Sequence, residues 1–102
     1  MKILTKKKII EILKKEHPYL SEKYGVEKIA IFGSFAKGLQ RKRSDVDILV
    51  ELKKPLGLDF IELAYHLEDL LGKKVDIATF DCFKNPRYRH IAENIEKSLI
   101  YA

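Results

Sequence analysis

Four consecutive apolar residues, Ile29-Ala30-Ile31-Phe32, are cut off sharply by Gly33-Ser34. A strand that is apolar on both faces must be covered on both faces, so residues 26–32 are expected to run through the middle of a sheet. Ten residues after the Gly-Ser pair, Asp45-Val46-Asp47-Ile48-Leu49-Val50-Glu51-Leu52 alternates. Val46, Ile48, Val50 and Leu52 then form a buried face, and Asp45, Asp47, Leu49 and Glu51 share the other. The first strand must reverse at Gly33-Ser34 and enter a short helix whose N–H groups point back at the turn.

The flanking segments complete an alternating pattern. Thr5 can cap a helix over 5–16 whose stripe is Ile9, Ile12 and Leu13, with Ile10 beside it. His17-Pro18 is expected to end that helix, with a second short one running to Tyr24 and closing on Gly25. Asp59 and Glu62 have the spacing of a capping box for a helix to Leu71, with Ile61, Ala64, Leu67 and Leu71 facing inward and Gly72 stopping it. A third strand is expected over 74–79. Pro86 suits the first turn of a last helix carrying Ile91, Ile95 and Leu99, followed by a short strand within 98–101. The expected fold class is α/β (α+β), with helices packed on a small mixed sheet of three to five strands.

At 102 residues the chain is expected to form one domain, 1–102. The 46% hydrophobic content is enough for a core and excludes a disordered chain. The net charge of +5 would attract nucleotides or an acidic partner. Lys6-Lys7-Lys8 and Lys14-Lys15 read as a solvated helix face, so direct nucleic-acid binding is not expected. A single cysteine, Cys82, excludes an internal disulfide and a cysteine zinc site. No apolar run approaches the roughly twenty residues that cross a bilayer, and the start is charged too early for a signal peptide. A cytoplasmic protein without membrane contact is the expectation.

Two carboxylates at i and i+2 of a strand point the same way. Oxygen ligands of that kind suit Mg2+, which is held by one or two carboxylates together with substrate phosphates. Asp45 could instead cap a turn after Ser44. Asp47 is harder to explain by local structure, because aspartate is disfavoured between Val46 and Ile48 and an unpaired carboxylate there is costly. Asp76 repeats the anomaly between Val75 and Ile77; a lysine partner, Lys73 or Lys74, is its other reading. Three carboxylates beside a phosphate-binding turn suit nucleotidyl transfer, which needs charge neutralisation and in-line positioning. Asp45, Asp47 and Asp76 are the expected catalytic and metal-binding residues, with two Mg2+ ions. Gly33, Ser34, Lys37 and Gly38 are the expected nucleotide-binding residues, the glycines allowing close approach of backbone to a triphosphate. Arg41, Lys42 and Arg43 either add to the phosphate field or form an exposed loop. His17, His66 and His90 lack metal-ligand spacing.

Gly33-Ser34-Phe35-Ala36-Lys37-Gly38 followed by Ser44-Asp45-Val46-Asp47-Ile48-Leu49-Val50 resembles the signature of the DNA polymerase beta-type nucleotidyltransferase superfamily. The Gly-Ser pair, ten-residue spacing, Asp-x-Asp and short chain are similar to its minimal nucleotidyltransferase (MNT) family, and Asp76 matches the third carboxylate. The loop Gln40-Arg41-Lys42-Arg43 is more basic than the family's usual version. The resemblance implies the polymerase beta-like fold and a toxin–antitoxin pair in which a HEPN-domain RNase is the toxin. The MNT member would be the antitoxin, a protein adenylyltransferase moving AMP from ATP to a tyrosine near the toxin's RNase site. Two alternatives stand beside this: an antitoxin that neutralises its partner by binding alone, and a nucleotidyltransferase acting on a small molecule. The short chain leaves little material for a small-molecule acceptor pocket.

Overall fold

The computed structural model describes residues 4–38, 45–79 and 99–102. Helix α1 spans Lys6–Tyr24, β1 Val26–Phe32, α2 Gly33–Lys37, β2 Val46–Leu52, α3 Asp59–Leu71, β3 Val75–Thr79 and β4 Ile100–Tyr101. The four strands form one sheet in the order β3-β2-β1-β4. Strand β1 pairs antiparallel with both β2 and β4, and β2 pairs parallel with β3. The doubly apolar run Ile29–Phe32 therefore occupies the interior of the sheet, where its composition requires it to be.

One face of the sheet carries the main core. Ile29, Ile31, Val46, Ile48, Val50 and Val75 meet Ile9, Leu13 and Leu20 from α1 and Leu63 and Leu67 from α3. The alternation predicted for β2 holds, since Val46, Ile48 and Val50 are fully buried on this side. Leu49, on the opposite face, is fully buried as well, beside Ala30. The second face is thus covered at its centre.

Three sequence expectations need correction. Pro18 does not end the first helix, and α1 continues through it to Tyr24. Pro18 is exposed, so the carbonyl deprived of its N–H partner can face water, while buried Leu20 and Tyr24 hold the last turn on the core. In α3 the predicted capping box does not form. Leu58 takes the N-cap position in a helical conformation, without a side-chain cap bond. The inward face of α3 is Leu63, Leu67 and Leu71, whereas Ile61 is 53% exposed. Ile61 and Leu63 are two residues apart, about 200° around a helix, so Leu63 shares the inward stripe of Leu67 and Leu71 while Ile61 faces away from it.

Other boundary signals act as read. Thr5 accepts a hydrogen bond from the Lys8 N–H at 3.2 Å. Gly25 closes α1 in the left-handed conformation, φ +70°. The predicted loop 39–44 and the last helix, with Cys82, Pro86, His90, Ile91 and Ile95, lie outside the described residues.

Candidate functional site

The site gathers at one end of the sheet. Strand β1 leaves the sheet at Phe32, while β2 and β3 enter it nearby. Phe32 is the register partner of Asp47, and Asp47 is the register partner of Asp76. Partners in a parallel pair project from the same face, on strands about 4.8 Å apart. Topology thus brings Asp76, 29 residues along the chain from Asp47, onto the adjacent strand at the same level. Asp45, one residue before β2, sits exposed at the strand entrance.

The charges of these carboxylates are felt locally. Asp47 is half-buried, and its carboxyl is pushed above the usual carboxylate range, first by burial and then by the negative charges of Asp76 and Asp45. A divalent cation would offset these effects, since it favours the ionised form that each of them penalises. The donor chemistry therefore fits Mg2+. Among the described residues, no three acidic, histidine or cysteine side chains stand close enough together to hold a metal ion.

Gly33 follows Phe32 and packs directly on Asp47. Its φ is +72°, and a Cβ built on it would overlap Oδ2 of the Asp47 carboxylate. Both the backbone conformation and the neighbour exclude a side chain. From Gly33 the chain turns into α2, which Phe35 pins to the core with 1% of its surface exposed. Ser34 is half-buried in the first turn and Lys37 is exposed in the last. Gly38 ends α2 in the left-handed conformation, with its N–H directed to the carbonyls of Phe35 and Ser34. Space around Gly38 is open, with nothing within 4 Å of a built Cβ. Within the fold, Gly38 closes α2.

The structure thus brings together Gly33, Asp47 and Asp76, with Asp45 and Ser34 at the margin, and places Lys37 and Gly38 at the far end of α2. Arg41, Lys42 and Arg43 fall outside the described residues. Two neighbours lie close by: Lys73, named from sequence only as a partner for Asp76, and Glu68, not singled out at all. The Lys73 ammonium lies 5.8 Å from the Phe35 ring centroid, and the Glu68 carboxylate accepts the Val75 N–H at 3.1 Å. Both are contacts between elements, for which local pattern carries no signal.

His66 serves packing. Its Nε2 lies 3.1 Å from Oε1 of Glu16 and its ring lies against Tyr19, joining α3 to α1. Among the described residues, no helix is long and apolar enough to cross a membrane.

Comparison with known proteins bears on the family and the fold. A nucleotidyltransferase-domain family matches residues 6–102. A Methanocaldococcus jannaschii relative named as a candidate protein adenylyltransferase, MJ1217, is 46% identical over 98 residues, covering 95% of this chain and 97% of its own length. Protein adenylyltransferase MntA of Thermococcus cleftensis is 38% identical over 102 residues, covering 99% of each. A solved structure described as a candidate minimal nucleotidyltransferase superposes with a TM-score of 0.74 at 29% identity, over 98% of both chains. A toxin–antitoxin structure with AMP-PNP superposes with a TM-score of 0.54 at 31% identity, covering 74% of this chain and 57% of that one. With kinship and site geometry in accord, the chain belongs to the nucleotidyltransferase-domain family, among its minimal members, and it is a nucleotidyltransferase.

Proposed function

We propose that this nucleotidyltransferase is the antitoxin of a toxin–antitoxin pair and transfers AMP from ATP to a tyrosine hydroxyl of a HEPN-domain RNase toxin. The observation that carries the reading is the row Phe32, Asp47, Asp76 across three strands, with Gly33 packed on Asp47. Relatives named protein adenylyltransferase support AMP as the transferred group. The toxin–antitoxin neighbour carrying AMP-PNP supports ATP and a toxin partner. The HEPN class of the partner and the tyrosine acceptor follow from the resemblance to the minimal family. A cytoplasmic setting suits such a pair.

In the reaction the acceptor hydroxyl gives up its proton to solvent and its oxygen bonds to the α-phosphorus of ATP. The bond from that phosphorus to the bridging oxygen breaks, and pyrophosphate leaves. Asp45 and Asp47 would hold Mg2+, and Asp76 would complete the carboxylate set on the side of the acceptor. Bound Mg2+ supplies neutralisation of phosphate charge and a lowered acceptor pKa. Gly33 keeps backbone, not side chain, beside the carboxylates. Ser34 and the neighbouring N–H groups would bind the leaving phosphates, and Lys37 and Gly38 would border their outer end.

The test combines the protein with labelled ATP, Mg2+ and the product of the neighbouring gene, followed by mass spectrometry of that partner. Added AMP that disappears with Asp47→Ala is the expected result. Neutralisation that persists in Asp45→Ala and Asp47→Ala, with no added mass, would show an antitoxin acting by binding alone.

A further inference from the structure

The position of Asp76 depends on how β3 is held. Strand β3 lies at the end of the sheet order, and β2 is its described strand neighbour. It is five residues long, and Asp76 is its second residue. The first rung below Asp76 is the bond from the Val46 N–H to the Lys74 carbonyl, 2.9 Å. Neighbouring residues of a strand direct their backbone groups to opposite edges. With Lys74 turned toward β2, Val75 turns its N–H away from β2. That N–H is met by Oε2 of Glu68, at 3.1 Å.

Glu68 holds both ends of the link between α3 and β3. Its backbone carbonyl accepts the Gly72 N–H at 2.8 Å, which closes the helix in the left-handed turn at φ +67°. Its side chain then reaches seven residues ahead to the residue immediately before Asp76. One half-buried residue therefore touches both the end of α3, through its backbone, and the start of β3, through its side chain. A carboxylate accepting a backbone N–H makes a stronger bond than a neutral acceptor and cannot donate to a competing group.

We propose that Glu68 is a positioning residue for Asp76: by clamping the outer edge of β3 at Val75, it keeps Asp76 level with Asp47 for a shared divalent cation. The inference rests on the metal-binding reading of the carboxylates given above. It assigns Glu68 no contact with metal or nucleotide. Without the clamp, the entrance of β3 frays and Asp76 samples positions away from Asp47.

The test uses the full chain, with Mn2+ alone as probe. Mn2+ affinity is read by electron paramagnetic resonance, and amide exchange at Val75 and Asp76 by NMR. Glu68→Leu should accelerate exchange at Val75 and weaken Mn2+ binding about tenfold, the lower range for residues that support metal ligands. Glu68→Gln, which keeps an acceptor oxygen, should restore most of both. If Glu68→Leu does not fold, Glu68→Asp decides, since it keeps the charge but is one methylene too short to reach Val75. Faster exchange with unchanged Mn2+ affinity would overturn the proposal, as would failure of Glu68→Gln to restore binding. Asp47→Asn reports on the site itself. If it retains full Mn2+ affinity, the metal reading falls and the proposal with it. If it loses Mn2+ while Glu68→Leu does not, the proposal alone falls.

Discussion

A methyl group on Gly33 would occupy the space held by the Asp47 carboxylate. The glycine of the turn and the aspartate of the strand are thus one packing unit, built from residues 14 positions apart. The absence of a side chain at Gly33 is what admits the carboxylate.

Gly33→Ala should therefore fail in two ways. An alanine in the left-handed region is strained by about 1–2 kcal/mol, and the Cβ must also displace Asp47. Urea unfolding should show a loss of at least that size, and calorimetry should show loss of Mg2+-dependent ATP binding. A variant that binds ATP normally would show that the contact with Asp47 has no bearing on the site.

Asp47→Asn should stabilise the metal-free protein. Burial, Asp76 and Asp45 raise the Asp47 pKa in the folded state. The native state then binds its proton more tightly than the unfolded chain does. Stability from this group is present in full below the unfolded aspartate pKa of about 3.9 and is lost as pH rises through the folded value. The variant's advantage in melting temperature should grow across that interval and persist at neutral pH. Added Mg2+ with ATP should reverse the order, because ligand at a hundredfold excess over Kd stabilises the form that binds it by about 2.7 kcal/mol.

Leu63→Ala and Ile61→Ala should separate sharply. Leu63 is fully buried between α3 and the sheet, whereas Ile61 is 53% exposed. Truncation of the buried leucine should cost about 2–5 kcal/mol, and truncation of the exposed isoleucine no more than about 0.5 kcal/mol. Denaturant midpoints compare the two directly.

Tyr24→Phe tests the junction between the first and third helices. The Tyr24 hydroxyl donates to Glu62 at 3.2 Å, and Lys23 pairs with the same carboxylate at 3.1 Å. Burial, then the bond to Glu62, raises the Tyr24 pKa, so the hydroxyl remains a donor at neutral pH. Loss of this half-buried bond should cost about 1 kcal/mol, while Lys23→Met, which breaks an exposed pair, should cost less. Mn2+ affinity should be unchanged in both, because neither side chain approaches the carboxylates.

Local chemistry made part of this protein legible in one dimension. Alternation in 45–52 named the buried face of β2, Gly25 and Gly72 marked helix ends, and aspartates between branched apolar residues stood out because a strand interior penalises them. Where several local signals competed, sequence misled. Pro18 reads as a stop, yet burial of Leu20 and Tyr24 outweighs one missing backbone bond. Ile61 and Leu63 are equally apolar, and only the direction from which the sheet approaches α3 separates them.

Chain order by itself determined the strands, the turn at Gly33-Ser34 and the identity of the acidic residues, because backbone preference and hydrophobic period act over a few neighbours. Tertiary structure alone decided that Asp47 and Asp76 stand level, that Asp47 fills the space Gly33 leaves, and that Glu68 secures the strand carrying Asp76. Those relations depend on parallel register and helix packing, which bring together groups whose separation along the chain carries no trace of their distance in space.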